Sequence, residues 1–254
     1  MSDETKKKNK SLKPKGSIVY ELLAVLLIVA LYFTLSYPAK LWKQEQKNTE
    51  ECRRNMYHIY YAEVTYLNDS LVYADSLSKV VNHILDDTTR KNLRLFTSLD
   101  STLGRDIVDY FEKSDYQMTI NIDSSFGEGP DSIITKKVEI QVPALIDSMS
   151  SYAKRWDIDT TEAFILDSLR TVPEFSQKID SFALATLKHM NTCPTTGEKY
   201  EIKALNDTTP KIVNIYCPID SQDIKEVEED FKRSFLGGLE IENHGGLEAG
   251  KKTW

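Results

Sequence analysis

Little in this sequence is of the kind that carries out reactions. Its four histidines, His58, His83, His189 and His244, are too scattered to nominate a general base, and there is no phosphate-cradling glycine loop, G-x-S-x-G elbow or H-E-x-x-H pair. Catalysis has no local support, and the chain is expected not to be an enzyme. The three cysteines, Cys52, Cys193 and Cys217, contain no Cys-x-x-Cys pair, the spacing by which zinc ribbons supply their ligands. No segment is of low complexity. With 41% hydrophobic and 28% charged residues in 254, the composition is that of a folded protein able to bury a core in one sizeable domain or two small ones.

Charge is unevenly spread. Residues 1–16 hold six lysines (Lys6, Lys7, Lys8, Lys10, Lys13 and Lys15) against Asp3 and Glu4, so the remainder is more acidic than the net charge of −7 for the whole chain. An acidic body repels phosphates instead of releasing their counterions, which argues against nucleic acid as the partner.

From Ile18 to Tyr37 runs IVYELLAVLLIVALYFTLSY, with Glu21 its only full charge. At about 1.5 Å per residue, these residues span roughly the 30 Å hydrocarbon layer. The run is longer than the apolar core of a cleaved secretory signal, and Tyr37-Pro38-Ala39-Lys40 is a poor cleavage site. A retained transmembrane helix is predicted. The lysines crowding its short N-terminal flank keep that end cytoplasmic and export the rest. Lys40, Lys43, Lys47, Arg53 and Arg54 lie on the far side, but they open a long translocated domain, where the rule counts less.

An ionised Glu21 in hydrocarbon costs about 2.5–3.5 kcal/mol at a helix centre. Two remedies are open: the side chain snorkels to the headgroups, or a neighbouring subunit brings a cation. Lys15-Gly16 followed by Ser17, Ile18, Val19, Tyr20, Glu21 and the unbroken apolar run resembles the prepilin signal of type IV pilins and type II secretion pseudopilins. The resemblance implies cleavage by a prepilin peptidase between Gly16 and Ser17 on the cytoplasmic side, followed by methylation of the new amine. It places Glu21 fifth in the mature chain, where the family's acid pairs with a neighbour's terminus and sets subunit register. Pro38, at the end of the apolar stretch, matches the family's habit as well. Its missing N–H removes the bond to the Thr34 carbonyl, so a kinked or loosened helix is expected there. Ser17 departs from the usual first residue, Phe or Met.

Beyond Pro38 there is no glycine or further proline until well past Leu67, so one helix can run from Ser17 to about Leu67, roughly 75 Å if fully helical. Residues 43–51 have no apolar face, whereas Cys52, Met56, Ile59, Tyr60, Val64 and Leu67 recur at three and four. The helix should dock on a head only from Cys52 onward. RRNMYHIYYAEVTYLNDSLVYADSL, residues 53–77, resembles the pilin stretch in which an Ala-Gln-Glu-x-Tyr-like helix end is followed by a Tyr-Ala-x-Ser-Leu turn. Its tyrosines (Tyr57, Tyr60, Tyr61, Tyr66 and Tyr73) read as half-buried packing instead of a ligand site.

The remainder reads as an α+β head. Leu71 to Leu103 favours short helix with turns, and Ile107 to Glu112 a further helix. Tyr116 to Asp123 and Ile133 to Val142 alternate as strands around the turn-rich SSFGEGPDS. Residues 143–156 and about 160–190 favour helix, and Tyr200 to Ala204 and Lys211 to Tyr216 form strands around NDTTP. The expected fold is thus α+β, a long N-terminal helix packed on a small antiparallel-sheet head with extra helices. The organisation is leader 1–16, transmembrane helix 17–37, stalk 38–67 and head 68–254. Residues 104–190 lie outside the resemblance and read as an insertion or second lobe.

Cys193 and Cys217 flank the last hairpin. In an exported domain a disulfide between them is expected, worth roughly 3 kcal/mol for a loop of about 25 residues; similar Cys-Pro pairs occur in some pseudopilin-like proteins. A zinc site of these cysteines with His189 or His244 is the rival, disfavoured by spacing. Cys52 then reads as a small buried hydrophobe. Asp220, Asp223 and Asn243 lack the spacing of a calcium loop, so no metal and no cofactor is expected. The expected function is a pilin-like or pseudopilin-like subunit of a type IV pilus or type II secretion-type assembly. Its expected partners are prepilin peptidase, other pilin-like subunits and the bacterial inner membrane, with the head periplasmic. The alternative is a single-pass anchored periplasmic binding or scaffold domain that does not polymerise.

Overall fold

A computed structural model describes residues 18–125, 133–155 and 161–254. The fold is α+β with a helical majority. Its first element, α1 (Ile18–Ser70), is one uninterrupted helix, as the scarcity of helix breakers requires. It extends three residues past the expected Leu67 and continues through Pro38, whose ring nitrogen has no hydrogen to offer Thr34. The Thr34 hydroxyl donates to the Leu31 carbonyl at 3.0 Å.

The chain divides into two units, one holding the chain up to Glu45 together with Ile224–Ile241, the other Gln46–Asp223 with Glu242–Trp254. In the first unit the apolar part of α1 is exposed along its length: an 18-residue window with a mean hydropathy of 2.1 has none of its residues buried. Apolar surface left open to this extent is compatible with a single membrane span. Gly237 lies against α1, where an added Cβ would come within 2.4 Å of Leu41 Cδ1. Next to it Phe231 and Phe235 stack with centroids 5.0 Å apart.

Among the described residues, the second unit holds the rest of α1, six further whole helices and both sheets. The helices are α2 (Leu77–Leu85), α3 (Lys91–Leu99), α4 (Ser101–Glu112), α5 (Val142–Arg155), α6 (Thr161–Leu169) and α7 (Pro173–His189). Strands β1 (Gln117–Ser125) and β2 (Ile133–Gln141) pair antiparallel between α4 and α5. The expected turn between them, SSFGEGPDS, lies for the most part outside the described residues. Phe96, Phe111, Ile107, Ile146, Ile165 and Ile179 form the apolar centre of the helical layer. The described part of residues 104–190 falls within this unit, with the docked half of α1.

Two helix breaks were not expected. Asp100 separates α3 from α4 because its carboxylate accepts from the N–H groups of Thr102 (3.1 Å) and Leu103 (3.0 Å), the N-cap arrangement that satisfies a helix start. Pro173 begins α7, ending what read as one helix over 160–190, since proline is tolerated in a first turn but not in an interior. Asp180 of α7 binds Arg90 (2.7 Å) and Arg170 (2.8 Å), and Arg170 also donates to Thr97 Oγ1, which locks α3 to the α6–α7 corner.

The second sheet is antiparallel in the order β3-β4-β5-β6: Glu201–Leu205, Ile212–Tyr216, Gly246–Glu248 and Lys251–Lys252. The first two were legible in the sequence; the last two, in the tail, were not. Between β4 and β5 lies α8 (Ser221–Glu229), also unforeseen. Asp220 and Asp223, considered as calcium ligands, bond to backbone N–H groups at its start.

As the three-four periodicity predicts, α1 is buried from Cys52 onward, with Cys52, Met56 and Ile59 wholly inaccessible. That face also buries polar groups. His58 Nδ1 bonds Asp100 Oδ2 at 2.5 Å, tying α1 to the cap of α4. Glu63 Oε2 accepts from the Ala74 N–H at 2.9 Å. The Glu within YAEVTY thus holds the Tyr73-Ala74 turn, and burial pushes its pKa up to about 7. Asn206, in the β3–β4 turn, closes on the same place by accepting from Tyr73 N and donating to Tyr73 O. The tyrosines are packing residues: Tyr66 meets His83 edge-on, and Tyr57 meets Trp254. Trp254 therefore covers α1, with the Arg53 guanidinium 5.3 Å from its ring centre.

Candidate functional site

Glu21 falls in the first turn of α1, exposed, on the part of the helix with no buried face. Gly16 and Ser17, the expected cleavage position, lie outside the described residues. Within the apolar run from Ile18 to Tyr37, Glu21 is the one acid.

The cysteines form a different arrangement. No sulfur–sulfur bond joins Cys193 to Cys217 in this structure, where Cys52, Cys193 and Cys217 are all buried and unbridged. Nor is Cys52 an isolated hydrophobe. Its Sγ lies 3.6 Å from the Cys217 Sγ, and the ligand atoms of Cys52, Cys193, Cys217 and His244 all lie within 4.8 Å of one another, every one of the four residues buried. Four separate pieces of chain deliver them. Cys52 comes from the start of the docked face of α1, Cys193 from the turn after α7, Cys217 from the end of β4 and His244 from the residue pair before β5.

Each donor is fixed by its backbone. After Cys193 the chain makes a tight turn in which the Gly197 N–H donates to the Cys193 carbonyl and the Cys193 N–H to Glu198 O, both at 2.8 Å. Gly197 has a φ of +76°, a left-handed conformation that costs glycine little. The turn also aims the Thr196 N–H at the Cys193 sulfur. Cys217 and His244 are held side by side because the Cys217 N–H donates to Gly245 O at 3.0 Å, while Asn243 Nδ2 reaches the carbonyls of Ile219 (2.6 Å) and Cys217 (3.3 Å). Arg53, the neighbour of Cys52, donates from Nε to the His244 carbonyl at 3.2 Å. The Tyr200 hydroxyl donates to the Cys52 carbonyl at 3.4 Å.

The thiols are electrostatically unequal. Hydrogen bonds from Cys217 and Cys52 hold Cys193 below the usual thiol range, whereas hydrogen bonds with Cys193 and Cys217, together with burial, push Cys52 up. Burial also pushes Tyr200 up, with Cys52 beside it. Three sulfurs and an imidazole converging out of solvent can serve as a donor set for a soft or borderline cation, or as a thiol pair with a bystander.

Three of the four, Cys193, Cys217 and His244, fall within the zinc reading that spacing disfavours, since zinc ribbons pair their ligands within a few residues; Cys52 falls outside it. Two signals were present: the Cys-Pro-x-x-Gly turn at 193–197, and His244 in a glycine-rich stretch, one of the two histidines weighed with these cysteines. Comparison with protein-family models, with curated proteins and with solved structures gives no match to this chain.

Proposed function

We infer that the chain is a pilin-like or pseudopilin-like membrane subunit, anchored by α1 and acting by assembly with subunits of the same kind. The observation that carries this reading is α1 itself: one helix, exposed and apolar at its start, bearing a lone acid in its first turn and a docked, partly polar face at its end. A carboxylate in hydrocarbon is costly unless something compensates it. A free amine at Ser17, released by cleavage after Gly16 and presented by an adjacent subunit, supplies a cation at the depth of Glu21. The lysine-rich flank supports an N-terminus in the cytoplasm and a translocated head.

Intact mass of the membrane-extracted protein tests this directly. Loss of residues 1–16 with one added methyl is the expected result. A mature chain that starts at Met1 or Ser2 removes the basis for assembly and leaves a tethered extracytoplasmic domain. Glu21→Ala is expected to insert in the membrane normally and to fail to co-purify with like subunits; unchanged association would overturn the proposed pairing.

A further inference from the structure

We propose that Cys52, Cys193, Cys217 and His244 form a closed tetrahedral zinc site that fastens the docked half of α1 to the β3–β6 sheet. Thiolate sulfurs about 2.3 Å from a common tetrahedral centre stand about 3.8 Å apart, and a sulfur and an imidazole nitrogen slightly less. The Cys52–Cys217 separation of 3.6 Å matches that arrangement, and with all four ligand atoms within 4.8 Å of one another the remaining pairs need close by no more than about 1 Å. Bonded sulfurs would lie about 2.05 Å apart. The donor count points the same way: a disulfide employs two of the four groups and strands a buried thiol beside a buried imidazole, whereas a four-coordinate metal employs all of them.

Three sulfurs and one nitrogen, fully enclosed, form the donor set and geometry of structural zinc, with no position left for a water or substrate. The surroundings are those of a metal-thiolate site. The Thr196 N–H points at the Cys193 sulfur, and backbone bonds on both sides of Cys217 and His244 orient these ligands before any metal arrives. Zinc displaces the three thiol protons, leaving a complex of net charge −1, and Arg53, bonded to the His244 carbonyl, brings a guanidinium alongside. Because the ligands come from α1, the Cys193 turn, β4 and the tail, the metal joins segments that no disulfide between any two of these cysteines could join together.

The test uses the full chain, tagged without histidine and extracted in detergent with no chelator and no added zinc. Elemental analysis should find about one zinc per chain, and intact mass should show three reduced cysteines. His244→Ala should cut the zinc content to below about one-tenth, whereas His244→Cys, which restores a fourth donor, should retain it. Cobalt added to chelator-treated protein should give the intense sulfur-to-metal absorption and visible bands of tetrahedral cobalt. A wild-type chain without metal, whether it carries a disulfide or three alkylatable thiols, overturns the proposal. So does full zinc occupancy in His244→Ala. If both variants misfold, the wild-type stoichiometry and the cobalt spectrum decide. None of these results depends on where the mature chain begins, so the site can fail while the assembly reading stands.

Discussion

Replacing Glu63 by glutamine should remove a pH-dependent penalty that is built into the junction of α1 with the Tyr73-Ala74 turn. Glu63 is wholly inaccessible and receives one N–H, from Ala74, on Oε2. Among the described residues its Oε1 has no hydrogen-bond partner. Burial raises its pKa from 4.5 to about 7; the Ala74 N–H and Lys79 pull the other way, and Asp75 adds to the rise. The folded state therefore keeps this proton up to about pH 7, while the unfolded chain gives it up near 4.5. Below 4.5 both states are protonated and the group is neutral in effect. Between 4.5 and 7 the unfolded state alone loses the proton, so stability falls as pH rises, and above 7 the cost is complete. At about 1.4 kcal/mol per tenfold change in proton affinity, the total is about 3 kcal/mol.

Glutamine keeps an oxygen for the Ala74 N–H and never ionises, although its amide hydrogens inherit the poor surroundings of Oε1 at a cost of about 1 kcal/mol. Chemical denaturation of both proteins in detergent, followed by far-ultraviolet circular dichroism from about pH 4.5 to 8, isolates the effect as a difference. Glu63→Gln should be no more stable than the parent at the acid end and more stable by about 2–3 kcal/mol at about pH 8. A difference that stays constant across this range, or a variant that loses stability at the alkaline end, would refute the reasoning.

Substitutions at three further positions test other contacts. Asp100→Ala removes the cap of α4 and leaves His58 buried without its partner. It should lower stability by about 3–5 kcal/mol, with Asp100→Asn costing less because an oxygen remains for the cap; denaturation midpoints measure both. Gly250 has a φ of +76°, and an added Cβ would come within 2.6 Å of the Tyr60 hydroxyl, so Gly250→Ala should cost about 2 kcal/mol. Gly238→Ala, at a φ of +57° with open space around it, should cost about half as much in the same thermal melt.

How much of this was legible depends on how local each signal is. The run from Ile18 to Tyr37 and the recurrence from Cys52 to Leu67 are properties of neighbouring residues, and both ends of α1 were read from them. The buried polar members of the same face, among them His58, Glu63 and Thr65, escaped an apolar periodicity: His58 and Glu63 find partners outside α1, and Thr65 bonds back to the Tyr61 carbonyl. The breaks at Asp100 and Pro173 were written in the sequence as a cap residue and a first-turn proline, but each stands inside a stretch whose hydrophobic pattern favours continuing. Strands β5 and β6, three and two residues long, are too short for alternation to register.

The sequence by itself determined a helix long and apolar enough for one membrane crossing, the place of the one acid in its apolar run, the polar gap before docking, and the α+β character of the head. Tertiary structure alone decided that Cys52, Cys193, Cys217 and His244 share one buried site. Separation along the chain limits how far apart residues can be but says nothing of which will meet. That was settled by docking α1 on the sheet and by the return of the tail to β4, contacts made between segments remote in sequence.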